Sequence, residues 1–138
     1  MKVYGLTTCK RTRQALAWLK AHNVGFEFQN FKTESMSPDK LRDWDAKSGY
    51  ATFLNKKSLT WKKLAAEIRE SIKTSENALA LLVEEPGIIK RPVIEDRDFL
   101  LFGLMKRFIR IIFCITDSIT RISQNRNMAQ AHNSRILN

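Results

Sequence analysis

The pattern of the first 31 residues constrains the fold more than any other feature of this chain. Residues 2–6 are short and rich in β-forming side chains, which predicts a buried strand. Apolar residues then recur at helical spacing over residues 10–23, and residues 26–31 alternate apolar and polar side chains as a strand with one buried face does. Two strands joined by a helical connection of this length run parallel, so the sequence predicts a β–α–β unit.

The middle of the chain is predicted to be helical and the segment after it to form a hairpin. The Ser37-Pro38 pair, with proline at the first helical position, predicts a helix over residues 38–47. A second helix is predicted from about residue 58 or 60, through Trp61, Leu64 and Ile68, and a third over residues 75–84. Residues 88–94 then form a loop that leads into a strand, residues 95–98 a polar turn, and residues 99–102 the second strand of a hairpin.

This order of elements predicts an α/β, thioredoxin-like fold with a helical insertion between the N-terminal βαβ unit and the C-terminal β-hairpin. We expect the domain to span residues 1–115, ending in an amphipathic helix that carries Phe108, Ile111, Ile112 and Ile115. Residues 116–138 contain few large apolar side chains, so we expect a basic, poorly ordered tail.

Composition excludes several classes of protein. The two cysteines are too few and too far apart in sequence for a disulfide scaffold or a multi-cysteine zinc site. No signal peptide is visible, and the most apolar window, residues 99–115, is too short and too charged to span a bilayer. We therefore expect a cytoplasmic protein without a membrane partner. The net charge of +10 favours anionic partners, although the absence of a recognition helix makes nucleic acid an unexpected one.

Cys9 is the most informative residue for function. It lies where the first strand passes into the first helix, at the positive end of the helix dipole, and Lys10 and Arg11 follow it directly. Both effects favour the thiolate, the nucleophilic form of cysteine, and the same geometry binds oxyanions. The alternative is a buried structural cysteine. The second cysteine, Cys114, lies in an apolar run and is expected to be buried.

The Cys9 motif has no local resolving thiol. Thr12 stands where a CxxC motif has its second cysteine; its hydroxyl can hydrogen-bond to Cys9 but cannot form a disulfide. A redox cycle then needs a thiol from elsewhere, such as glutathione or a partner protein. Arg91-Pro92 is the second signal, because thioredoxin-like domains carry a cis X–Pro bond in a loop that faces the cysteine. Arg91 would then bind an oxyanion with its planar guanidinium group.

The motifs VYGLTTCKRTRQALAWL, FLNKKSLTWKKL, EEPGIIKRPVI and LLFG together resemble the arsenate reductase (ArsC)/Spx/YffB family over about residues 2–103, and the YffB-type branch most. The resemblance implies a nucleophilic role for Cys9 and an anion-binding role for Arg91, before the cis-proline Pro92. It also implies that Lys57 is a second basic residue, where arginine is usual. A third arginine of arsenate reductases falls where this chain has LLFG and is absent, which weighs against arsenate as the specific substrate.

Two functions follow from this resemblance. The first is a glutathione-dependent oxidoreductase, in which Cys9 attacks an oxyanion or disulfide and glutathione or a glutaredoxin-like donor completes the reaction. Its anion-binding residues would be Lys10, Arg11, Thr12, Lys57 and Pro92 beside Arg91; no bound cofactor and no metal is expected. The second is an Spx-like regulator that binds RNA polymerase without catalysis, although many Spx proteins carry a CxxC switch that this chain lacks.

Overall fold

The computed structural model describes residues 1–97, 99–103, 106, 108–114, 117–118, 121–122, 124 and 126. The chain divides into two compact units, residues 1–103 and residues 104–138. The domain boundary expected near residue 115 therefore falls inside the second unit.

The first unit is built on a four-stranded mixed sheet with the strand order β2-β1-β3-β4. Strand β1 (Lys2–Gly5) pairs in parallel with β2 (Glu27–Asn30), and helix α1 (Lys10–Ala21) connects them. On its other side β1 pairs antiparallel with β3 (Val93–Glu95), which forms a hairpin with β4 (Leu100–Phe102). The predicted βαβ unit and C-terminal hairpin are thus confirmed, and β1 lies between partners from both ends of the unit.

The helical insertion lies between β2 and β3, as predicted. The predicted helices over residues 38–47 and 75–84 are confirmed, with Ser37 and Thr74 as their N-terminal capping positions. The insertion also contains a one-turn helix that is too short to show a helical period in sequence, and a short 3-10 helix, Pro86–Ile88, which follows the last α-helix. Its α-helices are α2 (Pro38–Ser48), α3 (Tyr50–Phe53), α4 (Leu59–Lys63), α5 (Ala66–Ser71) and α6 (Ser75–Glu84).

The prediction of one continuous second helix is wrong, because this segment forms two helices. The backbone is extended at Leu64 (φ −65°, ψ 147°) and Ala65 (φ −57°, ψ 145°), which separates α4 from α5. Trp61 is buried, whereas Ile68 is 44% exposed. Apolar residues at helical spacing therefore do not share one buried face here, since the chain changes direction between them.

Four aromatic side chains form the centre of the core and hold the insertion against the sheet. Trp44 of α2 contacts Tyr4 of β1 edge to face, with ring centroids 5.0 Å apart, and Phe102 of β4 at 5.6 Å. Phe53 of α3 stacks on Phe102 at 5.0 Å. Each such pair adds about 0.5–1.5 kcal/mol to the burial of the rings, and the pairs join the insertion to the inner strand β1 and the edge strand β4 in one core.

The second unit is helical over residues 108–114, which confirms most of the predicted amphipathic helix; the described residues 106, 117–118, 121–122, 124 and 126 are helical too. Phe108 and Ile112, one turn apart, are buried, and Ile115 lies outside the described residues. The expected burial of Cys114 is wrong: its side chain is exposed, because it projects about 200° around the helix from Ile112. The poor order expected of residues 116–138 stays a prediction. Within the described residues, none of the helices has both the length and the apolar character that crossing a bilayer requires.

Candidate active site

Cys9 occupies the N-terminal capping position of α1, directly after the loop that leaves β1. Its N–H donates to the Leu6 carbonyl oxygen at 3.0 Å, and its own carbonyl oxygen accepts from the Arg13 N–H at 3.0 Å. The Cys9 side chain is half-buried and makes no capping hydrogen bond. The free N–H groups of the first helical turn are therefore available to an ionised sulfur or to a bound anion.

The surroundings of Cys9 favour its thiolate. Burial by itself raises the pKa of the Cys9 thiol, but the effects that oppose it are larger together and hold the pKa below its ordinary value. The largest of these are the N–H and then the hydroxyl of Thr12, followed by the positive charge of Arg91 and the N–H of Arg11. A cysteine with a lowered pKa is more often in the nucleophilic form near neutral pH.

Thr12 supports Cys9 from a fully buried position between the helix and the sheet. Its side chain has no exposed surface, and its hydroxyl has no hydrogen-bond partner of ordinary geometry among the described residues. A buried, unpartnered hydroxyl is costly, and the ionised Cys9 sulfur beside it would accept its hydrogen bond. A Cβ at Gly5 would lie only 2.5 Å from Thr12 Oγ1, so glycine in β1 allows the helix to approach this closely.

The Arg91–Pro92 segment supplies the second half of the site. The peptide bond between the two residues is cis, as predicted, and Pro92 is buried just before β3. Arg91 is half-buried, and one of its guanidinium nitrogens lies near Gly87, 3.8 Å from where a Cβ would stand. Its charge acts on the Cys9 sulfur. A planar guanidinium group next to a thiolate can hold an oxyanion during nucleophilic attack.

The structure gives less direct support for anion binding by the side chains of Lys10, Arg11 and Lys57. The side chains of Lys10 and Arg11 are exposed at the start of α1, and Arg11 acts on Cys9 through its backbone N–H. Lys57 is exposed in the loop before α4, where its N–H donates to Asn55 Oδ1 at 3.1 Å. That loop is anchored next to the Arg91 segment, since the Asn55 N–H donates to the Ile88 carbonyl oxygen at 2.8 Å. Contacts between these three cationic side chains and a substrate stay a prediction.

A polar cluster around Glu95 was missed by the sequence analysis, which placed this residue in a polar turn. Glu95 instead ends β3, with a side chain only 13% exposed. It accepts hydrogen bonds from the Tyr4 hydroxyl at 2.9 Å and from Trp44 Nε1 at 3.3 Å, and it pairs with Lys40 at 3.2 Å. Burial first, and then Glu95, raise the pKa of Tyr4 well above its ordinary value. The cluster is structural, because it satisfies a carboxylate inside the aromatic core.

The described part of the chain contains no group of three or more histidine, cysteine, aspartate or glutamate side chains that could hold a metal ion. The described site presents a thiol, a guanidinium group and backbone N–H groups.

Comparisons with known proteins identify relatives of this chain. The model of the ArsC family matches residues 4–111. An uncharacterized protein of Haemophilus influenzae is 29% identical over 111 residues, which cover 80% of this chain and 96% of that protein. Global transcriptional regulator Spx 1 of Lactococcus lactis is 31% identical over 110 residues, or 78% of this chain and 84% of that one.

Solved structures show the same architecture. A YffB protein superposes with a TM-score of 0.70 at 31% identity, covering 75% of this chain and 90% of that protein. An arsenate reductase (ArsC) related protein from Brucella melitensis superposes with a TM-score of 0.64 at 25% identity, covering 81% of this chain and 92% of that protein. The predicted thioredoxin-like fold is confirmed.

Proposed function

The chain belongs to the ArsC family, and from this premise we propose that it is a cytoplasmic, glutathione-dependent oxidoreductase with Cys9 as its nucleophile. The family and its arsenate reductase-like structures support thiol oxidoreductase chemistry in general. The glutathione dependence and the role of Cys9 are our proposal. The observation that carries it is the position of Cys9 at the N-terminus of α1, next to the buried Thr12 and the charge of Arg91, groups that lower the pKa of its thiol.

In the first step the Cys9 thiolate attacks the central atom of an oxyanion, XO, and one oxygen leaves as water after taking up two protons. No electrons are transferred in this condensation. Arg91 and the N–H groups of the first turn of α1 hold the negative charge of the substrate and of the adduct. Lys10, Arg11 and Lys57 raise the local concentration of anions, and Thr12 and Pro92 shape the floor of the site.

Two glutathione molecules then supply the two electrons. The first attacks the Cys9 sulfur, which releases the reduced product and leaves a mixed disulfide between Cys9 and glutathione. The second attacks the glutathione sulfur of that disulfide, releases glutathione disulfide and restores the Cys9 thiolate. The sum is XO plus two thiols giving X, one disulfide and one water. A mixed disulfide of glutathione enters the same cycle when the Cys9 thiolate attacks its glutathione sulfur, which releases the other thiol and forms the Cys9–glutathione disulfide. Another disulfide first bonds one of its sulfurs to Cys9 and releases the other as a thiol, and glutathione then displaces the bound half by attacking the Cys9 sulfur. A glutaredoxin-like protein can replace the second glutathione.

An external thiol is needed because Thr12 occupies the position of a resolving cysteine. Cys114 belongs to the second unit, and the proposed cycle does not use it. The apolar LLFG segment, where β4 ends, offers no further cation to the substrate. We therefore define the substrate as an oxyanion or a disulfide rather than as arsenate.

The test is the pH dependence of Cys9 alkylation, measured in a Cys114→Ser background that leaves one thiol. We expect a midpoint clearly below the value of about 8.5 of an unperturbed thiol. Turnover of candidate oxyanions and disulfides with glutathione should be measured in the same background, with Cys9→Ser as the control that must abolish it. A midpoint at or above the unperturbed value, or turnover that survives Cys9→Ser, would contradict the proposal.

A second candidate function is favoured by one observation, the 31% identity to a protein named a global transcriptional regulator. In this case the chain would bind RNA polymerase and Cys9 would act at most as a sensor. Purified bacterial RNA polymerase should then retain the chain, and Cys9→Ser should bind equally well. Retention of this kind together with no glutathione-dependent turnover would favour the regulator over the enzyme.

A further inference from the structure

We propose that the lysine-rich surface formed by α4 and the loop before it is a docking site for an acidic segment of a partner protein. This surface, called the basic surface below, consists of Lys56, Lys57, Leu59, Lys62 and Lys63. Lys57 also belongs to the proposed site, but the inference goes beyond the proposed function, since the other four residues have no part in the proposed cycle.

The basic surface carries an uncompensated positive charge. All four of its lysines are exposed, and none of them forms an ion pair with an acidic side chain in the described part of the chain. The sequence has no acidic residue between Asp45 and Glu67. Positive charge of this density attracts an anionic partner and speeds its association.

The apolar centre of the basic surface favours a polypeptide over a nucleic acid. Leu59 is 73% exposed, the largest value among the exposed large apolar residues of the described chain. It opens α4, and Lys62 and Lys63 follow it by three and four residues, which places them on the same side of the helix. Leucine gives no contact to a phosphate backbone, but it can pack against an apolar side chain of an acidic peptide.

The basic surface is rigid before any partner binds. The Ser58 hydroxyl accepts a hydrogen bond from the Trp61 N–H at 3.1 Å and caps α4. Trp61 is buried, and Lys56 Nζ lies 5.8 Å from the centre of its indole ring. The Ser58 N–H donates to the Asn55 carbonyl oxygen at 3.2 Å. A surface that is already ordered loses little conformational entropy on binding.

The basic surface also borders the candidate active site. A Cβ at Gly87 would lie 3.3 Å from Thr60 Oγ1 of α4 on one side and 3.8 Å from an Arg91 guanidinium nitrogen on the other. Thr60 and Arg91 thus both border Gly87, so a partner protein bound along α4 would lie near Arg91.

Binding of a fluorescein-labelled peptide, with aspartates and glutamates around a central Leu-Phe pair, tests the proposal at low salt. Lys62→Glu/Lys63→Glu is the main variant, and Lys20→Glu/Lys32→Glu is the matched control, with the same change of net charge at two exposed lysines outside the basic surface. We expect the main variant to weaken binding about tenfold and the control to weaken it by less than about twofold. Leu59→Ser should weaken binding about fivefold without any change of charge.

Three results would overturn the proposal. The first is equal loss in the two charge-reversal variants, since attraction would then depend on net charge alone. The second is unchanged binding in Leu59→Ser, combined with tighter binding of a duplex DNA of equal charge, which would assign the surface to nucleic acid. The third is no peptide binding below about 1 mM in the unmodified chain. Leu59→Ser leaves all lysines in place, so its binding measurement still tests the proposal if the charge-reversal variant folds poorly.

Discussion

Replacement of Gly5 by alanine tests how closely α1 approaches β1 beneath the candidate nucleophile. The added Cβ would lie 2.5 Å from Thr12 Oγ1, 2.7 Å from Thr12 Cγ2 and 3.2 Å from Thr12 Cβ. A change of the threonine rotamer cannot remove the clash, because the Cβ itself stays within 3.2 Å and a helix permits only two of the three rotamers. The helix must therefore move away from the strand.

The cost can be worked out from this geometry. Forcing one extra carbon into a closely packed core costs about 1–3 kcal/mol, and the three short contacts place Gly5→Ala in the upper half of that range. Alanine also lowers the conformational entropy of the unfolded chain, which offsets about 0.4–1 kcal/mol of this cost. We expect a net decrease of about 2 kcal/mol in the free energy of unfolding, and a decrease of about 8 °C in the melting temperature.

Urea denaturation followed by circular dichroism measures this change, and Gly25→Ala is the matched control. A Cβ at Gly25 has no atom within 4 Å, so that variant should be as stable as the unmodified chain or slightly more stable. Gly5→Ala should also raise the midpoint of Cys9 alkylation, because it displaces the Thr12 groups that favour the thiolate.

The double variant Gly5→Ala/Thr12→Ala identifies the contact that is responsible. It removes Oγ1 and Cγ2 but keeps Cβ at 3.2 Å, so it should recover part of the loss, with a coupling of about 1 kcal/mol between the two sites. Equal urea midpoints for Gly5→Ala and Gly25→Ala, or strictly additive effects at positions 5 and 12, would refute the reasoning.

Three further predictions concern the site, the core and the border of the basic surface. Arg91→Ala should raise the pKa of Cys9, because it removes a positive charge that favours the thiolate; alkylation against pH measures the shift, and an unchanged or lower midpoint would contradict it. Glu95→Gln should lower the free energy of unfolding by about 1–3 kcal/mol, since it removes the charge that three buried or half-buried partners bind; a urea midpoint equal to that of the unmodified chain would argue against this cluster. Ser58→Ala should cost about 1 kcal/mol through loss of the cap of α4, whereas Ser37→Ala, whose side chain makes no capping hydrogen bond, should cost less; equal losses in thermal denaturation would contradict the assignment of the caps.

The sequence was sufficient where structure depends on near neighbours. The alternation and periodicity of residues 1–31 predicted the βαβ unit, and Ser37-Pro38 predicted the start of α2, because strand pattern and helix capping are local effects. The Arg91–Pro92 cis bond was predicted only through the fold, since the dipeptide itself has a weak preference.

The sequence was insufficient where structure depends on distant contacts. Glu95 receives its hydrogen bonds from Tyr4 and Trp44, which are 91 and 51 residues away in sequence, so nothing beside it in the chain indicates burial. The break at Leu64 carries no glycine or proline signal. The sequence did not predict that position 5 requires glycine. That requirement comes from the contact with Thr12, and the distance between a helix and a strand is a property of the tertiary structure.

The strand order of the sheet has a consequence for the way this protein is made. Strand β1 can pair with β2 as soon as the first 31 residues are available, but its other edge pairs with β3, about 90 residues later. Closing a loop of that length costs about 4 kcal/mol in chain entropy, so we expect this pairing to form late, and β1 to keep one unprotected edge during synthesis. The same pairing brings Arg91 to Cys9. In a growing chain Cys9 thus has only the Thr12 and Arg11 groups of α1 to favour its thiolate, and the charge of Arg91 is added when the sheet is complete.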